Sequence, residues 1–84
     1  MSTKKAFDQA LKDVKKLSNL NNDQLLQLYG LYKQATEGDV HGPKPGMLDL
    51  RGKAKYGAWS KHKGKSQEKA MEAYAALVKR LASD

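Results

Sequence analysis

The chain has 84 residues, with 16 Lys+Arg against 9 Asp+Glu, a net charge of +7 and no Cys. That length makes a single domain over residues 1–84, too small for a second core. Without Cys there is no disulfide framework and no thiolate metal site, and His41 and His62 alone give a metal centre little basis.

The first helix is expected over residues 3–17, where Phe7, Ala10, Leu11, Val14 and Leu17 recur at three- and four-residue steps. Thr3 or Ser2 can cap its start. The basic residues at the start, Lys4 and Lys5, are followed by no apolar run, so a secretory leader is not expected. The longest apolar run, residues 74–78, falls far short of the roughly 20 residues that span a bilayer. A soluble, cytoplasmic protein is the expectation.

A second helix begins at Asn21 or Asn22, with Gln24 placed to complete a capping box on Asn21, and ends at Gly38. Leu25, Leu28, Tyr32 and Ala35 form one stripe of it; Leu26, Tyr29 and Lys33 form the next. Gly30 inside it costs up to about 1 kcal/mol against Ala. Residues 39–50 hold Gly42, Pro43, Pro45 and Gly46, which exclude a regular helix. Irregular connections of this length are often functional.

A third helix is expected over residues 52–63, closed by Gly64, and a fourth after a Ser66 cap, with Ala70, Met71, Tyr74, Leu77, Val78 and Leu81 as its buried stripe. Nowhere does strand-like alternation occur. The fold class is therefore all-α, four helices that bury their stripes against one another in a bundle. The long second connection permits a crossover between parallel neighbours.

Charge is concentrated in one place. Arg51, Lys53, Lys55, Lys61, Lys63 and Lys65 stand in residues 51–65 with no acid among them. Such a patch attracts a polyanion, whether a phosphorylated small molecule, a nucleic acid or an anionic lipid. Tyr29, Tyr32 and Lys33 sit at i, i+3 and i+4, so their side chains neighbour one another beside that charge. A tyrosine face can stack on a purine, and a lysine offers a point charge to a phosphate. Tyrosines at helical spacing are also ordinary core residues, and the residues alone do not separate the two readings. On the third helix Arg51, Lys55 and Trp59 fall at four-residue steps, whereas Lys53 points elsewhere. There is no nucleophile–base set and no Walker-type phosphate loop, so no catalytic role is expected. Specific nucleic-acid binding is not expected either, for no helix-turn-helix, zinc or RNA-binding signature is present.

The strings YKQATEGDV (residues 32–40), PGMLDLRGKAK (residues 45–55) and AW (residues 58–59) resemble the signature of the acyl-CoA-binding protein family. The likeness runs from about Phe7 to Tyr74. It implies an up-down-down-up four-helix bundle with a long loop between helices 2 and 3. It also implies a non-enzymatic carrier of medium- to long-chain fatty acyl-CoA, without a cofactor or metal. Tyr29, Tyr32, Lys33, Lys55, Tyr74 and Lys15 then become ligand residues, with Lys33 and Lys55 on the ribose 3′-phosphate and both exposed in the free protein. Phe7, Ala10, Leu25 and Leu26 are candidates for the acyl groove. Trp59 anchors the third helix to the core, and Tyr56 replaces a tryptophan common in animal members. The expected partners are the acyl-CoA ester itself, acyl-CoA-using enzymes by transient delivery, and membranes by transient contact; a monomer is expected.

Overall fold

The computed structural model describes residues 2–83, and its elements are four α-helices: α1 (Thr3–Asp13), α2 (Asn22–Glu37), α3 (Leu50–Ser60) and α4 (Gln67–Ser83). No strand occurs among the described residues.

Each helix starts on a side chain that accepts an otherwise orphaned amide. Ser2 Oγ takes the N–H of Lys5 at 3.1 Å, and Ser66 Oγ takes that of Lys69 at 3.0 Å. At α2 the capping box is complete. Asn21 Oδ1 accepts from the Gln24 amide at 2.8 Å, and Gln24 Oε1 accepts from the Asn21 amide at 2.9 Å. Gly38 closes α2 at φ 80°, a region where a side chain is strained.

Two boundaries differ from the sequence reading. The first helix is α-helical only to Asp13; residues Val14–Lys16 tighten into a 3-10 turn, and Leu17 is already extended. That tightening, followed by Asn19 at φ 62°, reverses the chain within a few residues. The third helix lies earlier than residues 52–63, because Asp49 caps it: Asp49 Oδ1 accepts the Gly52 amide at 2.9 Å. Leu50 and Arg51 are thereby drawn into the first turn of α3.

The helices form a slab of 40 × 29 × 15 Å. α4 packs against both α1 and α2, while α3 packs chiefly on α2. Phe7, Leu28, Leu31, Tyr74, Leu77 and Val78 fill the centre of the α1–α2–α4 core. Three pairings give the directions. Gln67 at the start of α4 donates to the carbonyl of Ala35 near the end of α2 at 3.2 Å, so these two run antiparallel. Leu25 and Leu26 line one groove with Leu50 and Ala54, start beside start, so α2 and α3 run parallel. Phe7 in the first half of α1 meets Tyr32 in the second half of α2, so α1 and α2 are antiparallel. The order is up, down, down, up.

A polar knot holds α3 in register. Gln34 is fully buried, and its Nε2 donates to Asp39 Oδ1 at 2.9 Å and to the Lys65 carbonyl at 2.7 Å. Asp39 Oδ1 also accepts the Gly64 amide at 2.8 Å, and the Trp59 indole N–H reaches the Gly38 carbonyl at 2.8 Å. The start of the long connection is thus tied to both ends of the α3–α4 turn.

Candidate functional site

The capped start of α2 and the Asp49-capped start of α3 lie side by side, and between them runs a groove of about 610 Å³. Asn22, Leu25, Leu26, Leu50, Arg51, Ala54 and Lys55 line it. Its apolar side chains are open to water: Leu25 is half exposed and Leu50 is 75% exposed. Beyond Leu50 the loop carries Met47 and Leu48, and Leu48 is 97% exposed. A run of open aliphatic residues next to Arg51 and Lys55 is a surface that both an acyl chain and an anion can occupy.

The cation and the aromatic come from different helices. The Lys55 ammonium of α3 stands 5.3 Å from the ring centroid of Tyr29 on α2, in cation–π contact at the head of the groove. Parallel packing at this distance requires α3 to approach α2 closely, and the missing side chain of Gly30 permits it. Lys53 faces other ground, with Asp23 and Gln27 on one side and Lys44 and Pro45 on the other. The two lysines of the K-A-K string therefore serve different surfaces.

Lys33 departs from expectation. Its side chain is only 20% exposed, because its ammonium is bonded to Glu37 one turn later and sits 4.7 Å from the centroid of the Trp59 ring. The Glu37 hydrogen bond is the main cause that raises the Lys33 pKa, against a smaller opposing effect of burial; the same bond lowers that of Glu37. The other Glu37 oxygen lies 3.4 Å from His41 Nε2, and the His41 and Trp59 ring centroids are 5.2 Å apart in an edge-to-face arrangement. Lys55 is exposed, as expected; Lys33 is held.

Tyr32 joins a third group with Phe7 and Tyr74. Ring centroids are 6.3 Å apart for Phe7 and Tyr32, 5.3 Å for Phe7 and Tyr74, and 6.4 Å for Tyr32 and Tyr74. Tyr32 is the exposed member of this trio, and Tyr74 is buried, which pushes its hydroxyl pKa up. Phe7 and Ala10, candidates for the acyl groove, are both buried within the α1–α2–α4 packing. Leu25 and Leu26 do line the groove. Lys15 stands exposed in the 3-10 turn and makes no ion pair among the described residues. A second depression of about 620 Å³ lies between α1 and α4, but among the expected site residues only Ala10 borders it.

Leu50 and Glu37 escape the sequence reading. The Pro/Gly-marked stretch places Leu50 in the loop, and the signal that moves it into α3 is the Asp49 cap. Glu37 stands four residues after Lys33, a spacing at which helical side chains pair. No group of three or more His, Cys, Asp or Glu is placed to hold a metal among the described residues, and none of the helices is long and apolar enough to cross a membrane.

A family model described as acyl CoA binding protein matches residues 4–78. The chain is 51% identical over 77 residues to acyl-CoA-binding protein homolog 1 of Caenorhabditis elegans, covering 90% of each. It is 49% identical over 83 residues to the acyl-CoA-binding protein homolog of Manduca sexta, covering 96% of this chain and 92% of that one. The crystal structure of Oryza sativa acyl-CoA-binding protein 2 superimposes with a TM-score of 0.93 at 38% identity, over 98% of this chain and 92% of that one.

Proposed function

The chain belongs to the acyl-CoA-binding protein family, and from that premise we propose that it is a non-enzymatic carrier of medium- to long-chain fatty acyl-CoA. One observation carries the reading to this chain: the Lys55 ammonium, the Tyr29 ring and the leucine-lined groove meet at one place. An acyl-CoA ester has three parts with three demands, namely an aromatic face for adenine, cations for the phosphates and an apolar wall for the chain. Tyr29 and the exposed Tyr32 supply the face. Lys55 and Lys33 take the 3′-phosphate. Leu25, Leu26 and Leu50 receive the chain, and in the aromatic trio the buried Phe7 and Tyr74 support the exposed Tyr32 from beneath. Lys15, exposed in the 3-10 turn after α1, adds a further ligand contact.

The carrier acts in the cytoplasm as a monomer, shields the thioester, and passes it to acyl-CoA-using enzymes in transient encounters. Met47, Leu48 and Leu50, set among Lys44, Arg51 and Lys53, are the residues that would touch a membrane while ligand is collected or released. Each methylene buried by the groove contributes up to about 0.8 kcal/mol, roughly fourfold in affinity.

Isothermal titration calorimetry tests the proposal. One-to-one binding of hexadecanoyl-CoA, far tighter than that of free CoA or palmitate, is expected, with affinity rising from octanoyl- through dodecanoyl- to hexadecanoyl-CoA. Equal affinity across the three chain lengths would remove the groove from the account. No binding by folded protein would reduce the family likeness to one of fold.

A further inference from the structure

Glu37 is an odd choice for the end of a helix. It occupies the last residue of α2, where a negative charge opposes the helix dipole. Its pairing with Lys33 runs Lys before Glu, the less favourable order for a helical pair at this spacing. Neither local effect recommends it. What the carboxylate does is occupy Lys33: one oxygen is bonded to the ammonium, and Trp59 backs the same ammonium at 4.7 Å. Lys55, by contrast, has no acidic partner among the described residues and rests on a ring. The two lysines offered to the phosphate are therefore unequal. One is open to an anion, and the other already holds one.

We propose that Glu37 is an internal competitor for the ligand phosphate, occupying Lys33 in the empty protein and moving to His41 when the phosphate displaces it. This rests on the acyl-CoA reading above and concerns the regulation of that same site. The receiving partner is already in place, since the second Glu37 oxygen lies 3.4 Å from His41 Nε2. Glu37 is the more exposed member of the pair, with 42% of its side chain accessible against 20% for Lys33, so the carboxylate can swing while the lysine stays seated. Removing the carboxylate leaves Lys33 against Trp59 with its charge unspent. The phosphate then docks without first breaking an ion pair, and affinity rises.

The test compares wild type, Glu37→Gln, Lys33→Ala and the double variant by calorimetry at fixed ionic strength. The ligands are hexadecanoyl-CoA and its analogue without the 3′-phosphate. Glu37→Gln should bind hexadecanoyl-CoA about two- to fivefold tighter, the range set by a partly exposed ion pair. The gain should vanish with the dephosphorylated analogue and in the Lys33→Ala background. Glu37→Ala should reproduce it, which separates loss of the carboxylate from any effect of the amide. Unchanged or weaker binding by Glu37→Gln would overturn the proposal, as would an equal gain with Lys33 absent. Failure of wild type to bind hexadecanoyl-CoA at all would instead bring down the carrier reading, and this inference with it.

Discussion

Gly30 and Ala58 meet backbone to backbone across the α2–α3 interface: a Cβ on Gly30 would collide with the Ala58 carbonyl oxygen and lie 2.8 Å from its carbonyl carbon. The same carbon would stand 3.2 Å from the His62 ring. Gly30 is thus the point at which α3 comes close enough for Lys55 to reach Tyr29. Helix propensity alone would favour Ala at this position by about 1 kcal/mol. The folded protein should instead lose roughly 1–3 kcal/mol in Gly30→Ala, the cost of overpacking against atoms that cannot turn aside. Gly57, also in a helix, faces open space: a methyl group there would meet no atom within 4 Å. Gly57→Ala should therefore gain about 0.5–1 kcal/mol. Urea unfolding of the two variants side by side checks both signs.

Lys55→Ala should weaken binding of hexadecanoyl-CoA by about tenfold or more, since a charge-assisted contact contributes roughly 1.5–3 kcal/mol. Its exposed side chain predicts little change in stability. Lys53→Ala, on another face of α3, should change affinity by less than about threefold after allowance for the loss of one distant charge. A reversed order of the two in calorimetry would mean that the ligand lies on the other side of α3.

Core and groove should separate by experiment. Phe7→Ala is expected to cost about 3–5 kcal/mol of stability, because it empties the centre of the aromatic trio. Leu25→Ala, at a half-exposed position, should cost less than about 1 kcal/mol. It should nonetheless weaken hexadecanoyl-CoA more than octanoyl-CoA. Thermal unfolding paired with chain-length titration distinguishes the two kinds of residue.

Acid should destabilise the protein in two stages. Burial, with Lys65 and Lys61 nearby, lowers the His62 pKa below its usual value of about 6.5. The unfolded chain therefore binds more protons in that window, and stability falls as pH drops through it. The Gly64 amide, then the Gln34 side chain, lowers the Asp39 pKa below the ordinary carboxylate value of about 4. Its contribution is complete above that value and is lost as pH falls through the lowered one. Urea midpoints measured between pH 8 and pH 3 should show both declines, and Asp39→Asn should flatten the lower.

Periodicity is enough to find the four helices, because each stripe is written in residues that lie next to one another along the chain. The ends of α1 and α3 are harder. Whether Asp49 caps a helix depends on how the loop delivers its backbone, and the loop from residue 39 onward follows tertiary ties such as Asp39 to Gly64 rather than local preference. The tyrosine–lysine face of α2 is legible for the same reason as the stripes. Its cross-helix partners are not: Lys55 over Tyr29 and Lys33 over Trp59 depend on how α3 docks, which the Gly30 contact decides. Glu37 lies within reach of the i,i+4 rule, but its hold on Lys33 matters only once Trp59 is seen closing the other side.

Trp59 is the chain's one tryptophan, and its indole has the Lys33 ammonium over its face, the His41 ring packed edge-to-face with it and the Gly38 carbonyl on its N–H. The molecule consequently carries its own optical gauge. A phosphate that replaces the Glu37 carboxylate on that ammonium alters the electric field on the indole's excited state, and the emission changes with it. Occupancy can then be followed in stopped flow without a label, from the first milliseconds of ligand capture to its release.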